Sequence, residues 1–312
     1  MATAVYNASA HARGSTTAPS TRTLPRVFIL SLQRRKFQED HSQVFSGLIR
    51  NASINIIHDT DTAAATLSAS PSLGDVVLVA DGAILQHAHT ALLYKLIHFA
   101  HEGATVVLAM DFYAELTPAN ARTFFGRWGL PWDAGDYLRT TFVLNPMSLP
   151  SPLSASALQP DYSMKAVVLK GVPRAAAVYL PGNDSHIESH VFAPTPIRGA
   201  EAQMTPAAFA RVGRGYLGYV GDVNGEQGST RLTIEMCGVK IRPGDMGCRR
   251  YVSSCSFRNG VVADEQITEE AEIPLPSAAE TVQRAAPRED MYTYGSGVAM
   301  LGYLSVVDRD ID

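Results

Sequence analysis

Five polar residues in this 312-residue chain stand where an apolar run stops: Asp81, Asp111, Asp222, Asn224 and Glu226. Asp81 ends DVVLVAD, Asp111 ends ATVVLAMD, and the other three fall at the end of YLGYVGDVNGE. Short apolar runs of this kind read as strands. If the strands lie parallel, these side chains and the neighbouring Gly82 meet at one rim. Carboxylates gathered there can share a proton, which raises one of their pKa values into the range of a general acid. They can also hold a hard cation through oxygen. The bland alternative is that Asp81 and Asp222 cap turns and helix starts, a common use of a short acidic side chain.

Other constellations are weaker. In HIESH, an extended backbone would set His186, Glu188 and His190 on one side. Two imidazoles and a carboxylate suit zinc. No second shell is visible around them, so no metal is assigned and no cofactor is expected. His87 and His89 fall on a loop or helix start. Arg34-Arg35-Lys36 could hold an anion but reads as a solvated loop. GRGYLG at 213–218 matches G-x-G-x-x-G, yet a dinucleotide site needs that turn between a strand and a helix. Here a strand continues through 216–220, so 213–215 reads as a hairpin turn. The three cysteines, Cys237, Cys248 and Cys255, are too few and too oddly spaced for a disulfide framework or a zinc knuckle. An esterase elbow, G-x-S-x-G, is absent, and Tyr294-Gly295-Ser296-Gly297 lacks its spacing.

Composition narrows the classes further. Hydrophobic residues make up 46% and charged residues 18% of the chain, enough apolar material for a sizeable core. A net charge of -4 and a pI near 6.1 do not suit a phosphate-neutralising surface, so no nucleic-acid partner is expected. No apolar run is long enough to span a bilayer, and the start lacks the apolar segment of a secretory signal. The sequons at Asn7, Asn51 and Asn183 are then chance matches. The expected location is the cytoplasm. The first acidic residue is Glu39, and an acid-free start containing Arg and Ser is also the composition of a mitochondrial transit peptide. No amphipathic helix supports that second reading.

The elements that must position the rim come in alternation. Residues 26–32, 54–57, 75–80 and 104–110 are apolar, β-branched-rich runs that read as strands. Residues 41–51, 62–68, 90–101 and 118–128 carry apolar residues at helical spacing. Strands alternating with helices imply right-handed crossovers and a mainly parallel sheet covered on both faces. Ligands in such sheets bind beyond the carboxyl ends of the strands. The second half predicts short strands at 166–169, 176–180, 189–192, 208–212 and 216–220. A closing helix at 230–237 stops at Gly238. Residues 1–24 are too polar to bury much surface and read as a disordered tail. Residues 243–312 open on Pro243-Gly244, turn acidic and read as a mostly irregular tail, with one short helix at 277–284. The expected folded domain is 25–242.

This element order resembles the class I glutamine amidotransferase-like fold, which includes the DJ-1-like and ThuA-like proteins. Three features carry the likeness: the Asp81-Gly82 turn, the strand at 104–110 after His101-Glu102-Gly103, and the hairpin VGRGYLGYVGDVN at 212–224. The chain is also similar to uncharacterised fungal proteins of this type. The resemblance implies a three-layer, flavodoxin-like α/β domain. It implies a nucleophilic Cys after the strand at 104–110, but that stretch reads Ala109-Met110-Asp111-Phe112. It implies a His after the last strand, but Gly221-Asp222-Val223-Asn224 stands there. The expected function is therefore a catalytically degenerate module that binds a small molecule or a protein through Asp81, Gly82, Asp111, Asp222 and Asn224. The alternative is a hydrolase of esters or amides using Asp111, Asp222 or Glu226, with or without a metal. A third expectation is self-association through the tails.

Overall fold

The computed structural model describes residues 24–33, 37–145, 149–189 and 193–240, and the short pairs 257–258 and 261–262. All of them belong to the unit that ends at Asp264. Of the two tails read from the sequence, only Leu24 and the pairs 257–258 and 261–262 are described, and those pairs are short strands rather than irregular chain; the helix at 277–284 and most of the strand at 189–192 lie outside the described residues. Ser189, which is described, is not in a strand.

The chain begins β1 (Arg26–Leu30), α1 (Phe37–Asp40), α2 (Ser42–Ile49), β2 (Ser53–Ile57), α3 (Thr60–Thr66), β3 (Val76–Asp81), α4 (Thr90–His101), β4 (Thr105–Asp111) and α5 (Ala121–Arg127). It continues β5 (Asp133–Leu144), β6 (Asp161–Lys170), β7 (Tyr179–Pro181), β8 (His186–Ile187), β9 (Thr195–Pro196), β10 (Ala207–Val212), β11 (Gly215–Val220), α6 (Gln227–Met236), β12 (Phe257–Arg258) and β13 (Val261–Val262). The main sheet runs β10-β11-β4-β3-β1-β2-β13-β12. From β11 through β2 every pairing is parallel, and β10 and β13 join antiparallel. The domain is thus α/β with a mainly parallel sheet.

The burial pattern follows from the strand sequences. All six residues of β3 are buried. Their side chains alternate between two apolar clusters, as the pleat requires. Val76, Leu78 and Ala80 pack with Val44, Phe45 and Leu48 of α2 and with Leu232, Ile234 and Met236 of α6. Val77 and Val79 pack with Leu92, Leu93 and Leu96 of α4 and with Phe124 and Phe125 of α5. Burying each such side chain stabilises by about 1.5–3 kcal/mol, so apolar residues on both sides of the strands are what hold helices on both faces. No described helix is long and apolar enough to cross a membrane.

Several boundaries shift for local reasons. The helix read over 118–128 is α5 and starts at Ala121. Before it, the Asn120 side chain accepts the Thr117 N–H at 2.9 Å and donates to the Glu115 carbonyl at 2.7 Å, closing a turn instead. The closing helix starts three residues early, at Gln227. The largest omission is β5, twelve residues long, which pairs antiparallel with β6 and β7 in a second, three-stranded sheet. Its apolar alternation is diluted. Leu138, Thr140 and Phe142 are buried, but the middle one is a threonine whose hydroxyl donates to the His186 carbonyl at 2.7 Å. The second sheet meets the main one where β11 ends: the Val167 N–H donates to Gly221 O at 2.9 Å, and Ala166 forms a bridge with Asp222.

Phe125 is fully buried, with Phe124, Trp132 and Tyr219 around its ring. Phe125→Ala is expected to cost about 3–5 kcal/mol, read as a lowered urea midpoint. Leu73→Ala, at a fully exposed side chain, should stay within about 0.5 kcal/mol of the parent.

Candidate functional site

The carboxyl end of β4 turns sharply at Met110, whose φ is 58°. Among the described residues it is the one non-glycine with a positive φ. A left-handed backbone costs an L-residue about 1–2 kcal/mol, so the surrounding packing must enforce it. Met110 is buried, at 6% exposure. With Val44 of α2 and Val220 of β11 it makes the apolar wall of a cavity of about 200 Å³. The other walls are polar: His41 and Gln43 at the start of α2, Asp222 and Asn224 after β11, and Thr230 in the first turn of α6.

Each polar group is set by its element. His41 occupies the N-cap position of α2 without capping it through its side chain. Its Nε2 lies 3.3 Å from Asp111 Oδ1, ion-pair distance when the ring is protonated, though off the hydrogen-bond line. Asp222 accepts the Asn224 N–H at 2.9 Å through Oδ1 and the Glu226 N–H at 2.7 Å through Oδ2. That fixes the turn leading into α6. Glu226, at the N-cap of α6, accepts from Arg139 Nη2 at 2.7 Å. Arg139 also donates to Ser163 Oγ at 3.1 Å, and the Ser163 hydroxyl donates to Glu188 at 2.9 Å. Burial, then the neighbouring Asp222 carboxyl, push the Glu226 carboxyl up to about 7, against the opposing pull of Arg139. Below, the Tyr162 hydroxyl pairs with Ser229 Oγ at 3.1 Å, and burial pushes that phenol up. Gly228 faces the same ring so closely that a Cβ would sit 2.6 Å from it.

The residues singled out in the sequence therefore fall in different places. Asp222 and Asn224 line the cavity, and Asp111 stands behind His41. Glu226 lies one residue beyond the lining Gly225 and faces Arg139. Asp81 and Gly82 do not line it. Asp81 is buried and accepts from the Ser31 hydroxyl, the Gln33 N–H and the Ala83 N–H at 3.2, 2.9 and 3.1 Å, pinning the β1 exit to the end of β3. Glu188 is held by Thr141 and Ser163, His186 is exposed in β8, and His190 lies outside the described residues. Among the described residues no three such side chains gather as a metal site. Gly213, at φ 57°, turns the β10–β11 hairpin. Cys237 is buried, which pushes its thiol up to about 12. Cys248, Cys255, residues 34–36 and 294–297 lie outside the described residues.

Sequence reasoning missed His41, Thr230 and Arg139. His41 had a weak signal, since it directly precedes an amphipathic helix. Arg139 had none, because its partner is 87 residues away and its strand went unread.

No protein-family model matches this chain, and no curated protein matches it. Solved structures do. A β-galactosidase from Bacillus circulans sp. alkalophilus matches at 14% identity and a TM-score of 0.40, over 69% of this chain and 31% of that one. A protein described as ThuA-like from Bacteroides uniformis matches at 10% identity and a TM-score of 0.40, over 71% of this chain and 93% of that one. Another so described, from Parabacteroides merdae, matches at 9% identity and a TM-score of 0.38, over 70% and 89%. The chain spans about a third of the length of the glycoside hydrolases it matches.

Glu226 yields a pH prediction. A carboxyl raised to about 7 in the folded chain binds a proton that the unfolded chain has already released. Stability contributed by that protonated group is complete below the ordinary carboxylate value and is lost as pH rises through 7. Glu226→Gln keeps an acceptor for Arg139 and removes the titration. The fall in urea midpoint between pH 5 and pH 8 should be smaller in Glu226→Gln than in the parent chain.

Proposed function

We propose that this chain is a catalytically degenerate, amidotransferase-like α/β domain, three-layered and flavodoxin-like, that binds a small molecule at the carboxyl rim of its sheet. The observation that carries this is Met110. It holds the strained backbone at the end of β4 where the resembled family places its nucleophile. A thioether has no proton to lose and forms no thiolate, so it cannot attack a carbonyl carbon as a catalytic cysteine does. What remains is a concave cavity in which several polar groups converge over Val44, Met110 and Val220, and such convergence of polar groups is what orients a ligand. The helices packed against both faces of the sheet support the three-layer arrangement. Asp222, Asn224 and His41 are the proposed contacts, with Asp111 positioning His41. Asp81 and Gly82, off the cavity, act in support by holding the neighbouring loop.

A hydrolase remains the second reading, and one observation favours it. Glu226 titrates near neutral pH a few residues from the cavity, as a general acid would. The His41–Asp111 contact offers a base at the cavity itself.

The two are separated by assaying the purified full-length protein on a panel of esters and amides, with added zinc, magnesium or chelator. No turnover above the blank is expected, in the parent or in Asp111→Ala and Asp222→Ala. Turnover in the parent that vanishes in either folded variant would transfer the assignment to the hydrolase.

A further inference from the structure

We propose that a cleft on the outer face of the second sheet takes a small phosphate monoester; it shares no lining residue with the cavity beside Met110 and does not rest on the reading above. Leu138 and Phe142 bury one face of β5, and Tyr137 and Arg139 stand on the other. In the antiparallel pairing of β5 with β6, Arg139 lies directly opposite Lys165. Like charges in that position destabilise a strand pair. Both side chains line the same cleft of about 370 Å³, where one ligand can reach them together.

The nearby carboxyl groups do not answer both cations. Arg139 donates to Glu226 at 2.7 Å and to Ser163 Oγ at 3.1 Å, and its planar fork has more N–H groups than these two bonds use. Burial, then the neighbouring Asp222 carboxyl, push the Glu226 carboxyl up to about 7, so near neutral pH it offsets only part of the Arg139 charge. Glu188 also lines the cleft, but its two oxygens accept the Thr141 and Ser163 hydroxyls at 3.3 and 2.9 Å. No carboxylate among the described residues pairs with the Lys165 ammonium, which lies 5.0 Å from the centre of the Tyr137 ring. The backbone fixes its place, since the Lys165 carbonyl accepts the Val223 N–H at 2.9 Å.

A phosphate group answers this pair of cations, with Lys165 as a point charge and Arg139 through its remaining N–H groups. Its monoester is largely dianionic at neutral pH. An ammonium ligand would meet two like charges, and a neutral one would leave their opposition in place. Tyr137 favours the ester over inorganic phosphate. Its ring is 55% exposed and lines the cleft with Ile187, which gives the carbon group of the ester a surface to lie on. At about 30 Å³ per water, the cleft has room for about twelve waters, the scale of a phosphate carrying one ring.

The test is calorimetric titration of the full-length protein at neutral pH with phenyl phosphate, inorganic phosphate, phenol and benzylamine at equal ionic strength. Phenyl phosphate should bind, with inorganic phosphate and phenol each at least about tenfold weaker and benzylamine weaker still. Lys165→Gln, which keeps the length and removes the charge, should lose about tenfold for phenyl phosphate, and Lys165→Arg should keep the affinity. Circular dichroism checks that both variants fold. Should Lys165→Gln not fold, Tyr137→Ala, at an exposed side chain, gives an independent answer: its affinity for phenyl phosphate should fall to that for inorganic phosphate. No binding of phenyl phosphate by the parent overturns the site. So does a folded Lys165→Gln or Tyr137→Ala that binds it unchanged. Inorganic phosphate, phenol or benzylamine binding as tightly as phenyl phosphate overturns the monoester assignment.

Discussion

The structure depends on one constraint: a parallel sheet whose central strands have no solvent-facing side. β3 is buried at every position, and the strands beside it are apolar along most of their length. Charged or hydrogen-bonding side chains cannot be carried on such strands without large desolvation costs. Polar chemistry is thereby pushed to the strand ends, where the backbone also has to turn into the next helix. Every group of the candidate site lies at such an end or at the helix start facing it.

Crowding polar residues there creates a second problem, because their own hydrogen-bonding needs compete with any function. Most of the carboxylates are spent on that. Asp81 holds the exit of β1, and Asp222 holds two N–H groups of the turn into α6. Glu226 is clasped by Arg139 from the second sheet. The clasp matters for the arrangement as a whole, since β6 meets β11 at the same place, through Val167 and Gly221. The turn that shapes the cavity is therefore tied to the second sheet as well as to its own strand. At this rim, among the described residues, these ties still leave His41 Nε2 and Glu226 Oε2 buried without a hydrogen bond.

Met110 combines both themes. Its backbone is strained, and its thioether has no proton to give up in a pocket of polar groups. Strain of this kind persists only where the surroundings over-determine it. Here β4 is buried on both sides, and the chain must pass at once into the short turn at Phe112–Glu115. The strained turn at the end of β4 is thus enforced by packing.

The sequence by itself determined the alternation of strand and helix, because apolar runs such as DVVLVA and spaced leucines such as those of 90–101 state their burial directly. It also placed Asp111, Asp222 and Asn224 at strand ends, and that no cysteine stands at 109–112 was plain from residue types. It did not determine β5, whose buried face mixes Leu138 and Phe142 with a hydroxyl at Thr140 that is satisfied only by a distant carbonyl. Nor did it separate Asp81 from Asp222, which have the same local sequence character. Which one borders a cavity depends on how α2 and α6 cover the end of β4, and that is fixed by contacts between residues more than a hundred positions apart. His41 against Asp111 and Arg139 against Glu226 also meet across long stretches of sequence, though shorter ones. Local periodicity encodes which face of an element is buried; which side chains then meet across elements was decided only by the tertiary structure.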